Sequence, residues 1–233
     1  SNPAWSPDGN TIVVSGLVNG QTDLYAYDLK TKKVRQLTND RYAEILPAWS
    51  RDGNALAFST DQLSLERGRT DGSWKMNLAV LDIANGYADL LDVFPGADNM
   101  NPQFDATGNI YFLSNRDGMR NLYYYDRTSS KVYQATNIET GISGITAYAP
   151  AIAVSGDRVL YTHYSEGSYA IHQARAENFD LKEVSPSAVD MAPAALPPFN
   201  PSRRDVVNTN LRLLDVNLRE VADTTTLRAT KYR

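Results

Sequence analysis

The chain has 233 residues, 27 acidic against 23 basic side chains for a net charge of −4, and no cysteine. The missing thiols remove disulfides, thiol catalysis and cysteine-ligated zinc, and the lack of a dense Lys/Arg stripe argues against nucleic acid as a partner, since phosphate binding needs clustered cations. No run of about 18 apolar residues is present to build a transmembrane helix.

In chain order the sequence is a repeat. Pro3-Ala4-Trp5-Ser6-Pro7-Asp8-Gly9-Asn10 supplies a proline, an aromatic and a turn; 11–15 (TIVVS), 23–28 (DLYAYD) and 34–38 (VRQLT) follow as three apolar runs. The same order returns at Pro47-Ala48-Trp49-Ser50-Arg51-Asp52-Gly53-Asn54, with runs at 55–59, 77–82 and 88–91. It returns again at Pro102-Gln103-Phe104-Asp105-Ala106-Thr107-Gly108-Asn109, with runs at 110–114, 121–126 and 132–136. A weaker copy begins at Pro150, with runs at 158–162 and 181–185. Short apolar runs bounded by turn residues predict strands rather than helices. The prolines are spaced by 44, 55 and 48 residues, a period that holds four strands and their turns, which is one propeller blade. The predicted fold is all-β: a β-propeller with four recognisable four-stranded blades at 3–46, 47–101, 102–149 and 150–186, forming an incomplete ring or part of a larger propeller.

Several repeat residues have a mechanical reading. Asp8 and Asp52 bond their own backbone, and Gly9, Gly53 and Gly108 accept φ > 0, so these belong to the first turn of each blade. Trp5, Trp49 and Phe104 are large enough to pack between neighbouring sheets. Asp28, Asp82 and Asp126 end strands where turns begin.

The strings Trp5-Ser6-Pro7-Asp8-Gly9-Asn10, 114–126 (SNRDGMRNLYYYD) and Arg35-Gln36-Leu37-Thr38 resemble the repeats of TolB-like β-propellers, also called WD-like propeller repeats. The likeness runs from Pro3 to Ser185. It is weakest in the fourth repeat, which lacks the aromatic after its proline and the Asp-Gly order. It implies a periplasmic or outer-membrane-associated protein of the cell envelope that binds protein partners. Such propellers have more blades, so the expectation is a part of a larger exported protein. An unclosed ring leaves two apolar blade faces wet, to be covered by remaining blades or another chain.

Five of the 11 prolines fall between Pro186 and Pro201, which predicts a Pro/Ala-rich linker over 187–202. The 203–233 segment reads as an extended tail leading to a further domain, such as an outer-membrane barrel.

Chemistry is hard to find in the sequence. The two histidines, His163 and His172, read as surface or edge residues, and the nearest approach to a nucleophile elbow, Gly141-Ile142-Ser143-Gly144, has its second glycine one place early. There is no calcium loop and no glycine-rich phosphate cradle. No catalytic residue, metal or cofactor is therefore expected.

Loop length is more informative. In a blade whose strands run outward, turns one and three share one face of the disc, and the second turn and the inter-blade connection share the other. Every long segment falls in the second class: 39–46, 60–76, 92–101 and 137–149, with about ten inserted residues in the second blade. Binding residues concentrate on loops held by a rigid scaffold, and Arg and Trp favour interfaces. Arg67, Arg69 and Trp74 of the insertion, joined by Arg41, Tyr42 and Tyr148, are the partner-binding candidates. The leading expectation is a non-catalytic protein-interaction scaffold. The alternative is a substrate-gating propeller attached to a peptidase or other hydrolase domain. A third, glycan or peptide binding in the axial channel, places Glu44, Asn99 and Asn101 at its mouth.

Overall fold

Each repeat folds as an up-and-down antiparallel meander. The computed structural model describes residues 1–67 and 74–195; Arg69, the end of the predicted linker and the whole 203–233 tail lie outside the described residues. The first sheet orders β1 (Ala4–Trp5), β2 (Thr11–Val18), β3 (Gln21–Asp28) and β4 (Val34–Gln36). The second orders β5 (Glu44–Trp49), β6 (Ala55–Thr60), β7 (Asn77–Asp82) and β8 (Ala88–Leu91), with a one-turn helix α1 (Gln62–Glu66) between β6 and β7. The third contains β9 (Asn99–Phe104), β10 (Ile110–Ser114), β11 (Asn121–Asp126) and β12 (Lys131–Gln134). The fourth contains β13 (Ile152–Ser155), β14 (Arg158–Ser165) and β15 (Ser168–Arg175).

The first turn shows why Ser-x-Asp-Gly-Asn recurs. Ser6 Oγ donates to Asp8 Oδ1 at 2.6 Å and accepts from Thr11 N at 2.9 Å, while Asn10 N donates to Asp8 Oδ1 at 3.0 Å. The second blade repeats this with Ser50, Asp52, Asn54 and Ala55. Gly9 and Gly53 sit at φ 69° and 74°, where a Cβ would be strained.

Period two then divides each sheet into two faces, and both are used. Val13, Leu24 and Ala26 of the first sheet pack on Leu56, Phe58, Ala79 and Leu81 of the second. Ala57, Leu78 and Val80, on the other side of the second sheet, pack on Ile110, Phe112 and Tyr123 of the third. Tyr111, Leu113 and Leu122 complete the series against Ile152 and Val159 of the fourth. The first strands of successive sheets approach one another, so the sheets fan about a hub as propeller blades.

Four expectations differ from what is observed. The run at 181–185 was expected to be the outer strand of the fourth blade; instead β16 (Lys182–Val184) joins the outer edge of the third sheet, with Val132 opposite Val184 and Lys131 bonded to Glu183 at 2.8 Å. The fourth sheet therefore has three strands and the third has five. The choice of edge follows the apolar residues around the strand: Phe179 packs beside Tyr111, and Val184 and Val189 pack on the core between the second and third blades. The start of the predicted linker follows the same route. Phe94 N donates to Pro186 O at 2.6 Å, Asp190 N to Arg116 O at 2.7 Å, and an Arg116 guanidinium N–H to Ala188 O at 3.0 Å.

Third, the motif aromatics are not equivalent in burial. Phe104 is buried, and Trp49 is half-buried with its indole N–H donating to Ala4 O at 3.2 Å, but Trp5 is 60% exposed. Trp5 occupies the face of the first sheet that, among the described residues, no other sheet covers. Val34 of that face and Ile171 of the fourth sheet's outer face are exposed as well.

Fourth, the residues expected at an axial mouth are enclosed. Glu44, Asn99 and Asn101 are all buried, with hydrogen bonds directed into the protein. Asn101 Oδ1 accepts from Ala151 N at 2.7 Å and Ile152 N at 3.0 Å, tying the third blade to the fourth. Its own φ of 55° lies in the left-handed region, where Asn is one of the few non-glycine residues enriched. Replacing Asn101 with Ala strands two buried amides and is expected to cost roughly 2–4 kcal/mol. Asn101→Asp, which keeps the acceptor, should recover part of that loss in chemical denaturation; equal destabilisation by both variants would contradict the bridging role.

Candidate functional site

The long connections gather beside the inner strands, and the insertion after β6 is anchored at both ends. Gln62 bonds Glu66 at 2.8 Å across one turn of α1, an i,i+4 pair that supports so short a helix. Ser64 Oγ donates to Lys75 O at 2.7 Å and accepts from Lys75 N at 3.0 Å, a two-point clamp that delivers Trp74 back toward β7. Lys75 pairs with Asp98 at 3.2 Å, and Asp98 also accepts from Met76 N at 3.1 Å.

Trp74 and Tyr148, from connections in two different repeats, line one cavity of about 500 Å³. Ala43, Ile45, Asp61 and Met76 share its wall, with Ser1 and Asn2 of the first repeat. The lining is mainly apolar, with Asp61 as its acidic group. Asp61 is itself buried and accepts from Ala43 N at 2.9 Å. Ile45 and Met76 continue downward into a small buried cluster with Leu46 and Met100, so the floor is backed by packed apolar side chains. The rim is wet: Trp74 is 43% and Tyr148 57% exposed. An apolar floor under two large amphipathic rings with one buried carboxylate is suited to receiving a side chain from a partner.

The other candidates are placed as follows. Arg41 lies over the Tyr42 ring at 5.5 Å, and Tyr42 donates its hydroxyl to Glu66 at 2.9 Å. Gln21 Nε2 donates to Tyr42 O, joining the first blade to this loop. Hydrogen bonds from Gln62 and then Tyr42 hold the Glu66 carboxyl below its ordinary range. Arg67 pairs with Asp92 at 3.0 Å, both groups about half exposed. Arg41 and Tyr42 thus form a cluster with Glu66, next to Ala43 of the cavity wall, while Arg67 is bonded instead to Asp92, the residue after β8. Sequence reasoning missed Ile45, Asp61 and Met76. Their signal was faint: isolated residues at strand ends, which have no periodicity to mark them.

Among the described residues no group of three or more His, Cys, Asp or Glu is arranged to hold a metal ion. His163 contacts Thr140 at 2.6 Å, and His172 stacks on Tyr161 at 5.4 Å between ring centres.

No protein-family profile matches the chain. A Tol-Pal system protein TolB from Francisella tularensis subsp. holarctica (strain OSU18) is 26% identical over 199 residues, covering 84% of this chain and 43% of that protein. The chain therefore spans less than half the length of the curated relatives it matches. Among solved structures, TolB from Acinetobacter baumannii superposes with a TM-score of 0.61 at 18% identity, over 82% of this chain and 44% of the other. A puromycin hydrolase gives 0.56 at 21% identity, over 87% of this chain and 32% of the other. Sequence and fold together make this a β-propeller chain with TolB-like repeats.

Proposed function

We propose that this chain is a non-catalytic protein-interaction scaffold of the bacterial cell envelope, working outside the cytoplasm, and that its partner docks on the loop-bearing face around Trp74 and Tyr148. The observation that supports this most is the cavity those two residues share: an apolar recess rimmed by exposed aromatic side chains drawn from separate repeats. The likeness to Tol-Pal system proteins named TolB supports the envelope setting and a protein as the partner. The likeness to a hydrolase lies below the identity at which more than fold transfers, so the gating alternative gains no support from it.

A photo-crosslinking amino acid placed at Tyr148 or at Trp74 is expected to trap protein adducts in native cells, whereas the same probe at Asp8, in a turn of the opposite class, is expected to trap few. Adducts at Asp8 with none at Tyr148 would overturn the assignment. For a partner recovered this way, Trp74→Ala should weaken binding by about tenfold or more, as for an aromatic interface anchor, with little change in melting temperature because the ring stands at an exposed rim.

A further inference from the structure

A second recess lies beside the first, built by the β10–β11 turn and the connection that follows β12. Its volume is about 390 Å³, and its wall includes Asn115, Met119, Arg120, Thr140, Ile145 and Ala147. Ala147 borders this recess and its chain neighbour Tyr148 borders the aromatic cavity, so one extended segment can reach both.

Arg120 is the unusual member. It is half-buried and spends one guanidinium N–H on Ala147 O at 3.1 Å. No carboxylate of the described residues pairs with it. Asp98, which contributes to its electrostatic surroundings, has already been engaged by Lys75 and by Met76 N. Desolvation lowers the Arg120 pKa from its ordinary value, yet a guanidinium remains cationic in proteins. Asp98 supports the Arg120 charge only from a distance, so the guanidinium N–H groups not bonded to Ala147, facing an open recess, mark a place where an anion is stabilised. Arg120 is also held from below. Ile142 N donates to Arg120 O at 2.6 Å, and Gly141, at φ 72°, passes so close to the Arg120 backbone that a Cβ there would lie 3.0 Å from its carbonyl oxygen.

Resting on the protein-partner reading above, we propose that this recess is a socket for one carboxylate, the side chain of an Asp or Glu in an acidic peptide segment of the partner. A carboxylate matches the planar fork of a guanidinium. Among the described residues no lysine and no second arginine lines the recess, which disfavours a dianionic phosphate. Met119 and the 87% exposed Ile145 offer apolar contact to the residues flanking the acid.

The test uses the full chain and an array of short, end-capped peptides in matched pairs, each carrying Glu or Gln at a single position flanked by leucines. The Glu member of a pair is expected to bind about tenfold or more tightly, as a charge-assisted hydrogen bond allows, with the advantage shrinking as salt is raised. Arg120→Met should bring the Glu and Gln members together, while Arg120→Lys keeps part of the difference. Equal binding of both members to the unaltered protein overturns the socket, and so does a Glu preference that survives Arg120→Met. The Glu/Gln comparison on the unaltered protein needs no variant to fold. Two failures can be told apart: Trp74→Ala weakening both members while Arg120→Met is silent removes the socket and leaves the partner face. A Glu preference that depends on Arg120, without adducts at Tyr148, leaves the socket and removes the aromatic docking site.

Discussion

Replacing Phe112 with alanine is expected to destabilise the folded Ser1–Ala195 unit by about 3–5 kcal/mol, the usual cost of removing a buried large aromatic. Phe112 is fully buried on the face that the third blade turns to the second. Its ring lies 6.1 Å from that of Phe94 and 5.8 Å from that of Tyr123. Truncation leaves a cavity against two rings that Arg116 already covers: its guanidinium carbon lies 5.3 Å from Phe94 and 5.6 Å from Tyr123, and its Nε donates to the Tyr123 hydroxyl at 3.1 Å. Such anchored neighbours collapse poorly into a void, which places the cost toward the upper part of the range. Because a blade has little core of its own, loss at one inter-blade face should lower the whole unfolding transition. The melting temperature is expected to fall by roughly 10 °C. Trp5→Ala, at an exposed position, is the control and should stay within about 1 kcal/mol of the parent. A loss below 1 kcal/mol for Phe112→Ala in a denaturant titration would contradict the packing described here.

The second large effect is a pH dependence centred on Glu44. Its side chain is buried between the first and second blades and accepts from Thr38 Oγ1 at 3.0 Å. Burial, then the negative charge of Asp40 and that of Asp23, push its carboxyl up to about 9, with the Thr38 bond opposing them. The folded state therefore holds a proton on Glu44 that the unfolded chain releases near its ordinary value of 4.5. Between these limits the folded form binds more protons, so stability falls as pH rises, by up to about 1.4 kcal/mol per pH unit. Glu44→Gln imitates the protonated acid at every pH. It is expected to match the parent near pH 4.5 and to exceed it increasingly toward pH 9. Parallel stability curves for the two proteins across that window would show that Glu44 is ionised in the fold at little cost. Asp8 behaves in the opposite sense: hydrogen bonds from Ser6 and Asn10 lower its carboxyl to about 2. Its contribution is present above its ordinary value of 3.8 and is lost only as pH falls toward the folded value.

The candidate site was partly legible. Trp74 and Tyr148 could be singled out because loop length and residue type are local facts, and a propeller's connectivity assigns loops to faces without coordinates. Their convergence on one cavity with Ile45, Asp61 and Met76 could not be read, since those residues look like ordinary strand ends. Arg120 was hidden for a different reason. What singles it out is the direct carboxylate bond it lacks among the described residues, Asp98 being bonded to Lys75, and a sequence does not record which of two cations a carboxylate joins. Glu44, Asn99 and Asn101 were legible by position near the hub but misread in role. A polar residue beside an inner strand can face the channel or bond inward. Asn101 accepts from two amides of the fourth blade, Asn99 donates to the Val93 carbonyl, and Glu44 accepts from the Thr38 hydroxyl, which pairs groups that would otherwise be buried unsatisfied.

The amino-acid order by itself determined the repeat: strand positions and first turns in the first three blades follow from β-branched runs and Asp-Gly geometry within a few residues of one another, and the spacing of the prolines set the stacking period. Only the tertiary structure decided which edge 182–184 would join, and that Trp5 is exposed although its counterparts in later repeats are covered. Those outcomes depend on contacts between residues far apart in the chain. Any open strand edge can accept backbone hydrogen bonds, and the choice among edges falls to the apolar side chains that each arrangement buries.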